Sequence, residues 1–304
     1  MATGARRGAA AMLAVAALVA ACDPGASSIA PSTTSVPATS IATTPVAVPS
    51  ATVPAPPTPR QVATHTLTAI AGRLPGGSIS VAVVNTRTGA SFRWGERRGM
   101  WTGSVYKLLV LEALLLERQR ADAWFTSYEL ADITAMIEQS NNKAGYRMFL
   151  DAGGSTPLAA AAKRLGLRHT HLGVADPALT TMDARDGITL LRRLVHGGPL
   201  TARSKAFVLG LMRNVQSDQR WGAGVVADRD TTFANKNGWM QVDRNNGPGE
   251  DDDGRWLVNS LGIIRVHGQQ LLIAIFTKHD PDCYSGIRLV QKLARTIVRT
   301  VVAE

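Results

Sequence analysis

The chain has 304 residues, a formal net charge of +10, 45% hydrophobic residues and two cysteines. Two cysteines exclude a disulfide framework, and the positive balance favours anionic wall polymers or lipid headgroups as partners. No Walker loop, Gly-x-Ser-x-Gly elbow or nucleic-acid motif occurs, which argues against an NTPase, an ordinary lipase and a nucleic-acid binder.

Residues 1–21 carry Arg6 and Arg7, then an apolar Ala/Leu/Val run and small residues before Cys22. This is the pattern of a secretory signal, which falls outside the fold and leaves about +8 on the mature protein. Val19-Ala20-Ala21-Cys22 resembles the lipobox of bacterial lipoproteins, in which cleavage precedes the cysteine and its thiol is acylated. The other readings are an ordinary signal peptide with an incidental cysteine, or a short anchor; the apolar run is shorter than the roughly 20 residues of a spanning helix. The expected location is therefore extracytoplasmic, lipid-anchored through Cys22 to the outer face of the bacterial cell membrane. Residues 22–59 are almost wholly Pro, Ala, Ser, Thr and Val, with no aromatic residue. They predict a disordered tether, reaching roughly 100 Å at about 3.1 Å per residue. Residues 60–304 remain for one folded domain of one or two lobes.

Ser78 to Val84 reads as a buried strand, Asn85 to Gly89 as a turn, and Ala90 to Trp94 as its hairpin partner. Val105 to Leu116 is apolar nearly all round, which suits a helix in the middle of a protein. Helical patterns follow at Asp132 to Gln139, Asn142 to Leu150, Pro157 to Leu165 and Asp183 to Val195. Three strands come next, Thr231 to Met240, Trp256 to Val266 and Gln269 to Lys278, the last two joined at His267-Gly268 in a tight turn. Ser285 to Ala303 closes the chain as an amphipathic helix whose row Arg288, Lys292, Arg295 and Arg299 reads as a solvated face. Strands at both ends with helices between predict an α/β (α+β) fold: an antiparallel sheet of about five strands, flanked by helices, wrapped around an all-helical insertion.

Three polar motifs stand in order: Ser104-Val-Tyr-Lys107, Ser140-Asn-Asn142 after 36 residues, and Lys236-Asn-Gly238 after another 96. A lone Ser-x-x-Lys carries little information, but the series supplies a nucleophile, an amine base, a proton relay and an anion-binding lysine. Ser104 and Lys107 lie one helical turn apart and face the same side. For Lys107 to act as base near pH 7, its pKa must fall from about 10.4 to about 7, a cost of roughly 4 kcal/mol. Burial and a second cation, for which Lys236 is the candidate, both push that way.

In this order the motifs resemble those of the penicillin-recognising serine enzymes, the β-lactamases and penicillin-binding proteins, with the class A layout nearest. The resemblance implies catalytic roles for Ser104, Lys107 and Ser140, and substrate binding by Asn142, Lys236, Asn237, Gly238 and Trp239. The backbone N–H groups of Ser104 and Trp239 would form the oxyanion hole. Asn141 replaces the usual aspartate, and Asn237 replaces a hydroxyl residue while keeping an amide that can donate. Class A enzymes carry Glu-Pro-x-Leu-Asn on the deacylating loop; here the nearest stretch is Asp176-Pro-Ala-Leu-Thr180, so Asp176 is either a shortened deacylation residue or a turn cap.

The implied activity is a lipid-anchored serine acyl-enzyme hydrolase acting on D-Ala-D-Ala peptides or β-lactams, with slow deacylation. The alternatives are an idle relative that binds wall peptides or a protein partner, and an esterase for another wall ester or amide. No cofactor is called for. His169 and His171 lack an obvious third metal ligand, and Glu250 to Asp253 reads as a solvated loop. Cys283 reads as a small buried apolar residue.

Overall fold

The computed structural model describes residues 55–75, 78–242 and 254–302. The signal segment, Cys22, most of the tether and the acidic run Glu250 to Asp253 lie outside the described residues.

Helix α1 (Pro59–Ala71) starts where Thr58 and Gln61 form a reciprocal capping box and Pro59 occupies the first turn. Strands β1 (Ile79–Asn85) and β2 (Ser91–Gly95) form the expected hairpin. The short β3 (Met100–Trp101) leads into a 3-10 turn, Gly103–Val105, that runs directly into α2 (Tyr106–Arg120). Every residue of α2 from Tyr106 through Leu116 is buried, which is why its sequence has no polar face. Around it stand α3 (Ser127–Glu138), α4 (Asn142–Asp151) and α5 (Ser155–Leu165). Strand β4 (Thr181–Met182) pairs with β3, and α6 (Ala184–Val195) follows with Asp183 as its N-cap. After α7 (Ala202–Arg213) come β5 (Ala234–Gln241), β6 (Trp256–Val266), β7 (Gln269–Asp280) and α8 (Cys283–Val298).

The sheet has five strands in the order β2-β1-β7-β6-β5, each neighbouring pair antiparallel. The first hairpin therefore pairs with the last strand, and the helices between are an insertion, as the sequence predicts. Alternation along β7 feeds two cores. Leu271, Ile273 and Ile275 face α1 and α8, with Leu67, Val290 and Leu293; Leu272, Ala274 and Phe276 face the helical lobe built on α2. Both faces are covered, so β6 and β7 read as nearly continuous apolar runs. In the β6–β7 turn His267 and Gly268 both have positive φ, 48° and 69°, and their N–H groups donate to the Asp228 carboxylate at 2.7 and 2.8 Å.

Two helices have no counterpart in the sequence reading, α1 and α7. The first strand of the closing group starts at Ala234 rather than Thr231, because Thr231 is held in a turn by its bonds to the Asp228 carbonyl. No described helix is long and apolar enough to cross a membrane.

Candidate active site

Ser104 sits in the 3-10 turn ahead of α2, and the outer strand β5 presses against that turn. The approach is close enough to require glycine on both sides. A methyl on Gly238 would lie 2.9 Å from the Ser104 nitrogen, and one on Gly103, whose φ is +48°, would lie 3.1 Å from the Trp239 nitrogen. The backbone amides of Ser104 and Trp239 are thereby brought into one neighbourhood. Asn259, buried on β6, holds the incoming chain by donating from Nδ2 to the carbonyls of Trp101 and Thr102 at 2.8 and 3.0 Å. Sequence reasoning passed over Asn259; a polar side chain inside an apolar strand was the available signal.

Lys107 Nζ lies 2.9 Å from Ser104 Oγ, 2.6 Å from the Ser140 carbonyl oxygen and 2.7 Å from Asn142 Oδ1. Lys236 Nζ donates to Ser140 Oγ at 2.8 Å and to the Asn237 carbonyl at 2.8 Å. The three motifs thus meet in one hydrogen-bonded cluster centred on Ser140. That residue takes a left-handed backbone, φ +55°, which a non-glycine residue adopts at a cost and which turns both its oxygens toward the lysines. Asn141 caps α4 by accepting from the Ala144 N–H at 3.0 Å, so its side chain is structural. Gly145, one turn further along α4, makes room for the amine: a methyl there would lie 2.6 Å from Lys107 Cε and 3.0 Å from Tyr106 Oη. A glycine inside a helix was the sequence signal for that position.

The amines are almost completely buried, Lys107 at 0% and Lys236 at 1% exposure. Burial is the main force on both. It lowers Lys107 to a pKa of about 7, opposed by the negative charge of Asp176. It lowers Lys236 well below the usual lysine range, and the nearby charge of Lys107 pushes further the same way. The expectation that Lys236 would supply the cation that depresses Lys107 is therefore corrected: burial depresses Lys107, and the repulsion between the amines weighs on Lys236. Desolvation and the charge of Asp176 also raise the Tyr106 phenol.

Asn237 departs from expectation as well. Its Nδ2 donates to the carbonyls of Gln219 and Trp221 at 2.8 and 3.2 Å, and its Oδ1 accepts from Ser260 Oγ at 2.7 Å. Both amide hydrogens are spent inside the protein, so the donor foreseen for a substrate is occupied. Trp239 packs edge-on against Trp221 with ring centroids 5.6 Å apart.

Asp176 caps a 3-10 turn, Pro177–Leu179, accepting from the Ala178 N–H at 2.8 Å. It is exposed, and its charge reaches Lys107 and Tyr106. Thr180, at the end of the same turn, accepts from the Gly173 N–H at 3.2 Å through its hydroxyl, and its carbonyl receives the Thr102 N–H at 2.8 Å. His169 Nε2 lies 3.2 Å from Arg185 Nη1, and the His171 backbone bridges to Thr181. Among the described residues no group of three His, Cys, Asp or Glu is arranged to hold a metal. Cys283 is half-buried at the start of α8, and burial raises its thiol.

An antiparallel sheet over a buried helix that opens with a Ser-x-x-Lys serine defines the β-lactamase-like class of fold. Residues 125–301 match the Beta-lactamase enzyme family, and the chain belongs to that family. The matched stretch contains the second and third motifs and begins after the first. Among solved structures the chain is similar to PBP-A, with a TM-score of 0.64 and 19% identity over 77% of this chain and 94% of that one. It is similar also to a class A beta-lactamase from Bacteroides cellulosilyticus, with a TM-score of 0.66 and 16% identity over 81% and 99%. At these identities the likeness is one of fold, and it bears out the architecture expected from the sequence. In sequence the chain is 30% identical over 95 residues to LppW of Mycobacterium tuberculosis and Mycobacterium bovis, a protein named as a lipoprotein by inference. That match covers 31% of this chain and 30% of LppW.

Proposed function

We propose that this protein is a secreted, lipid-anchored serine hydrolase that forms an acyl-enzyme at Ser104 on D-Ala-D-Ala peptides or β-lactams and releases it slowly. The observation that carries the reading is the 2.9 Å contact between Lys107 Nζ and Ser104 Oγ, made by an amine with a pKa of about 7. Near neutrality a substantial fraction of Lys107 is uncharged and accepts the Ser104 proton as Oγ attacks the acyl carbon. The amides of Ser104 and Trp239 stabilise the oxyanion. Ser140, bonded to Lys236 through its hydroxyl and to Lys107 through its carbonyl, returns a proton to the leaving nitrogen as the acyl bond breaks. Asn142, its Oδ1 held by Lys107, turns its amide nitrogen to the substrate's carbonyl. A substrate carboxylate arriving near Lys236 favours the ammonium form that burial disfavours.

Slow release is supported by Asp176. Its carboxylate already accepts the Ala178 N–H, and it is a methylene shorter than the glutamate of class A enzymes. A mutant of PBP-A has been solved as an acyl-enzyme with penicillin G, and the fold shared with it makes the same intermediate the natural one to seek here. In this reading residues 1–21 are removed, Cys22 is acylated, residues 22–59 form the tether and residues 60–304 do the chemistry. The lipoprotein name of LppW supports the anchor.

A second reading, a catalytically idle relative that binds wall peptides or a protein partner through the same surface, draws on Asn237, whose donors are already used. Labelling with a fluorescent penicillin, competed by a D-Ala-D-Ala peptide, tests the choice. A labelled band that the peptide suppresses supports the hydrolase; binding of the peptide with no label under any condition supports the idle relative.

A further inference from the structure

The sheet has two outer strands: β5, which carries Lys236, and β2 at the far edge. Between β2 and the outward side of α6 lies a cavity of about 570 Å³ walled by five arginines, Arg60, Arg93, Arg97, Arg185 and Arg192, with no aspartate or glutamate in its lining. The arrangement follows from the fold. Arg93 stands opposite Ala82 in the β1–β2 register and so shares the face of the sheet that packs toward α6. Arg185 and Arg192 are seven residues apart on α6 and project from one side of it. Arg60 comes from α1 on the other face of the sheet and stands at the outer edge of β2, donating from Nη1 to the Ser91 carbonyl at 2.6 Å, with its guanidinium 5.3 Å from the centre of the Phe92 ring.

These charges are poorly compensated. Among the described residues, only Arg185 has a carboxylate within reach, Asp183 Oδ2 at 3.9 Å, and that oxygen's partner already caps α6. The buried Nε of Arg185 has no hydrogen-bond partner among the described residues. Holding five permanent cations around one concavity costs Coulomb energy that a bound anion recovers. Guanidinium forks match the paired oxygens of phosphate better than any other side chain does. The volume is that of a small-molecule site, larger than a lone phosphate fills.

We propose that this cavity binds a phosphate-bearing small molecule, its phosphate on the arginines and the rest of it filling the remaining volume. The proposal does not depend on the reaction at Ser104. Calorimetric titration of the full chain tests it with three probes: glucose 1-phosphate, inorganic phosphate and glucose. Glucose 1-phosphate is expected to bind more tightly than phosphate, and glucose not at all. Replacing two of the exposed arginines, Arg93→Gln with Arg192→Gln, should weaken glucose 1-phosphate by about a hundredfold, about tenfold for each charged hydrogen-bonding group. The pair Lys292→Gln with Arg295→Gln removes the same charge from α8 and should leave binding unchanged. Thermal unfolding confirms that both variants fold, and Arg93→Gln alone, with an expected loss of about tenfold, replaces the double variant if that one does not. Equal weakening by both pairs, equal affinity for phosphate and glucose 1-phosphate, or no binding by any probe would overturn the proposal.

Discussion

Lys107 and Lys236 take hold of Ser140 from its two ends, the first at the carbonyl oxygen, 2.6 Å away, and the second at the hydroxyl, 2.8 Å away. Two buried amines so linked cannot both keep a full charge cheaply, and burial moves both toward the neutral form. In the proposed mechanism this arrangement supplies the Ser104 hydroxyl with a base at neutral pH.

The pH dependence of acylation follows from that. Lys107 must be deprotonated to accept a proton, so the rate of penicillin labelling should rise with pH and level off above an inflection near its pKa of about 7. Lys107→Arg, which cannot deprotonate, should lose about 100-fold or more of that rate. Stopped labelling across pH 5 to 9 gives the profile; a flat one would remove Lys107 as the base.

Gly145→Ala isolates positioning from stability. The new methyl falls 2.6 Å from Lys107 Cε, so the amine must shift, and a displacement of about 1 Å costs on the order of 100-fold in rate. Helix propensity favours alanine by about 1 kcal/mol, which offsets part of the steric cost to the fold. Labelling kinetics beside thermal unfolding should show a large rate loss and a smaller stability change. Unimpaired labelling would mean that the amine has slack the geometry does not suggest.

Asn237→Ala should behave in the opposite way. Its amide ties the Gln219 and Trp221 carbonyls to β5 and accepts from Ser260, so its loss leaves buried groups unpaired. Denaturant unfolding should register a loss of about 1–3 kcal/mol, with the labelling rate of the folded fraction within a few-fold of native. A selective loss of labelling at full stability would return Asn237 to the substrate.

Glu112 lies in the middle of α2, fully buried, with neither carboxylate oxygen hydrogen-bonded among the described residues. Desolvation raises its pKa well above the usual carboxylate value, against a smaller lowering by the charge of Arg193. The folded state then holds a proton that the unfolded chain releases above its ordinary pKa, so this group's contribution to stability is full in acid and declines as pH rises. The decline is at most about 1.4 kcal/mol per pH unit and continues until the folded group ionises. Glu112→Gln removes the titration, so the stability of the variant relative to native should increase between pH 5 and pH 8. A difference independent of pH would show that Glu112 is ionised in the fold.

Much of this architecture is legible in the sequence, for physical reasons that differ by element. Helix α2 announces itself because burial on all sides leaves no polar stripe, and β6 and β7 because both of their faces are covered. The clustering of three distant motifs around Ser140 is legible because each pairs a polar group with a glycine or a cap that close packing demands. Helix α1 escapes because only Ala63 and Leu67 are buried on it. Helix α7 escapes because its inward face mixes Ser204 with Val208, Leu211 and Met212. The orientation of Asn237 was beyond the sequence, since it depends on the Gln219 to Trp221 segment packing behind β5. The arginine cavity joins α1, β2 and α6, and no local pattern links residues so far apart.

The central claim is that Ser104 becomes covalently acylated. Intact mass spectrometry after exposure to benzylpenicillin, on the native protein and on Ser104→Ala, tests it most directly. The account predicts a long-lived gain of one penicillin mass on the native protein and none on the variant. No adduct on either, or the same adduct on both, would contradict it.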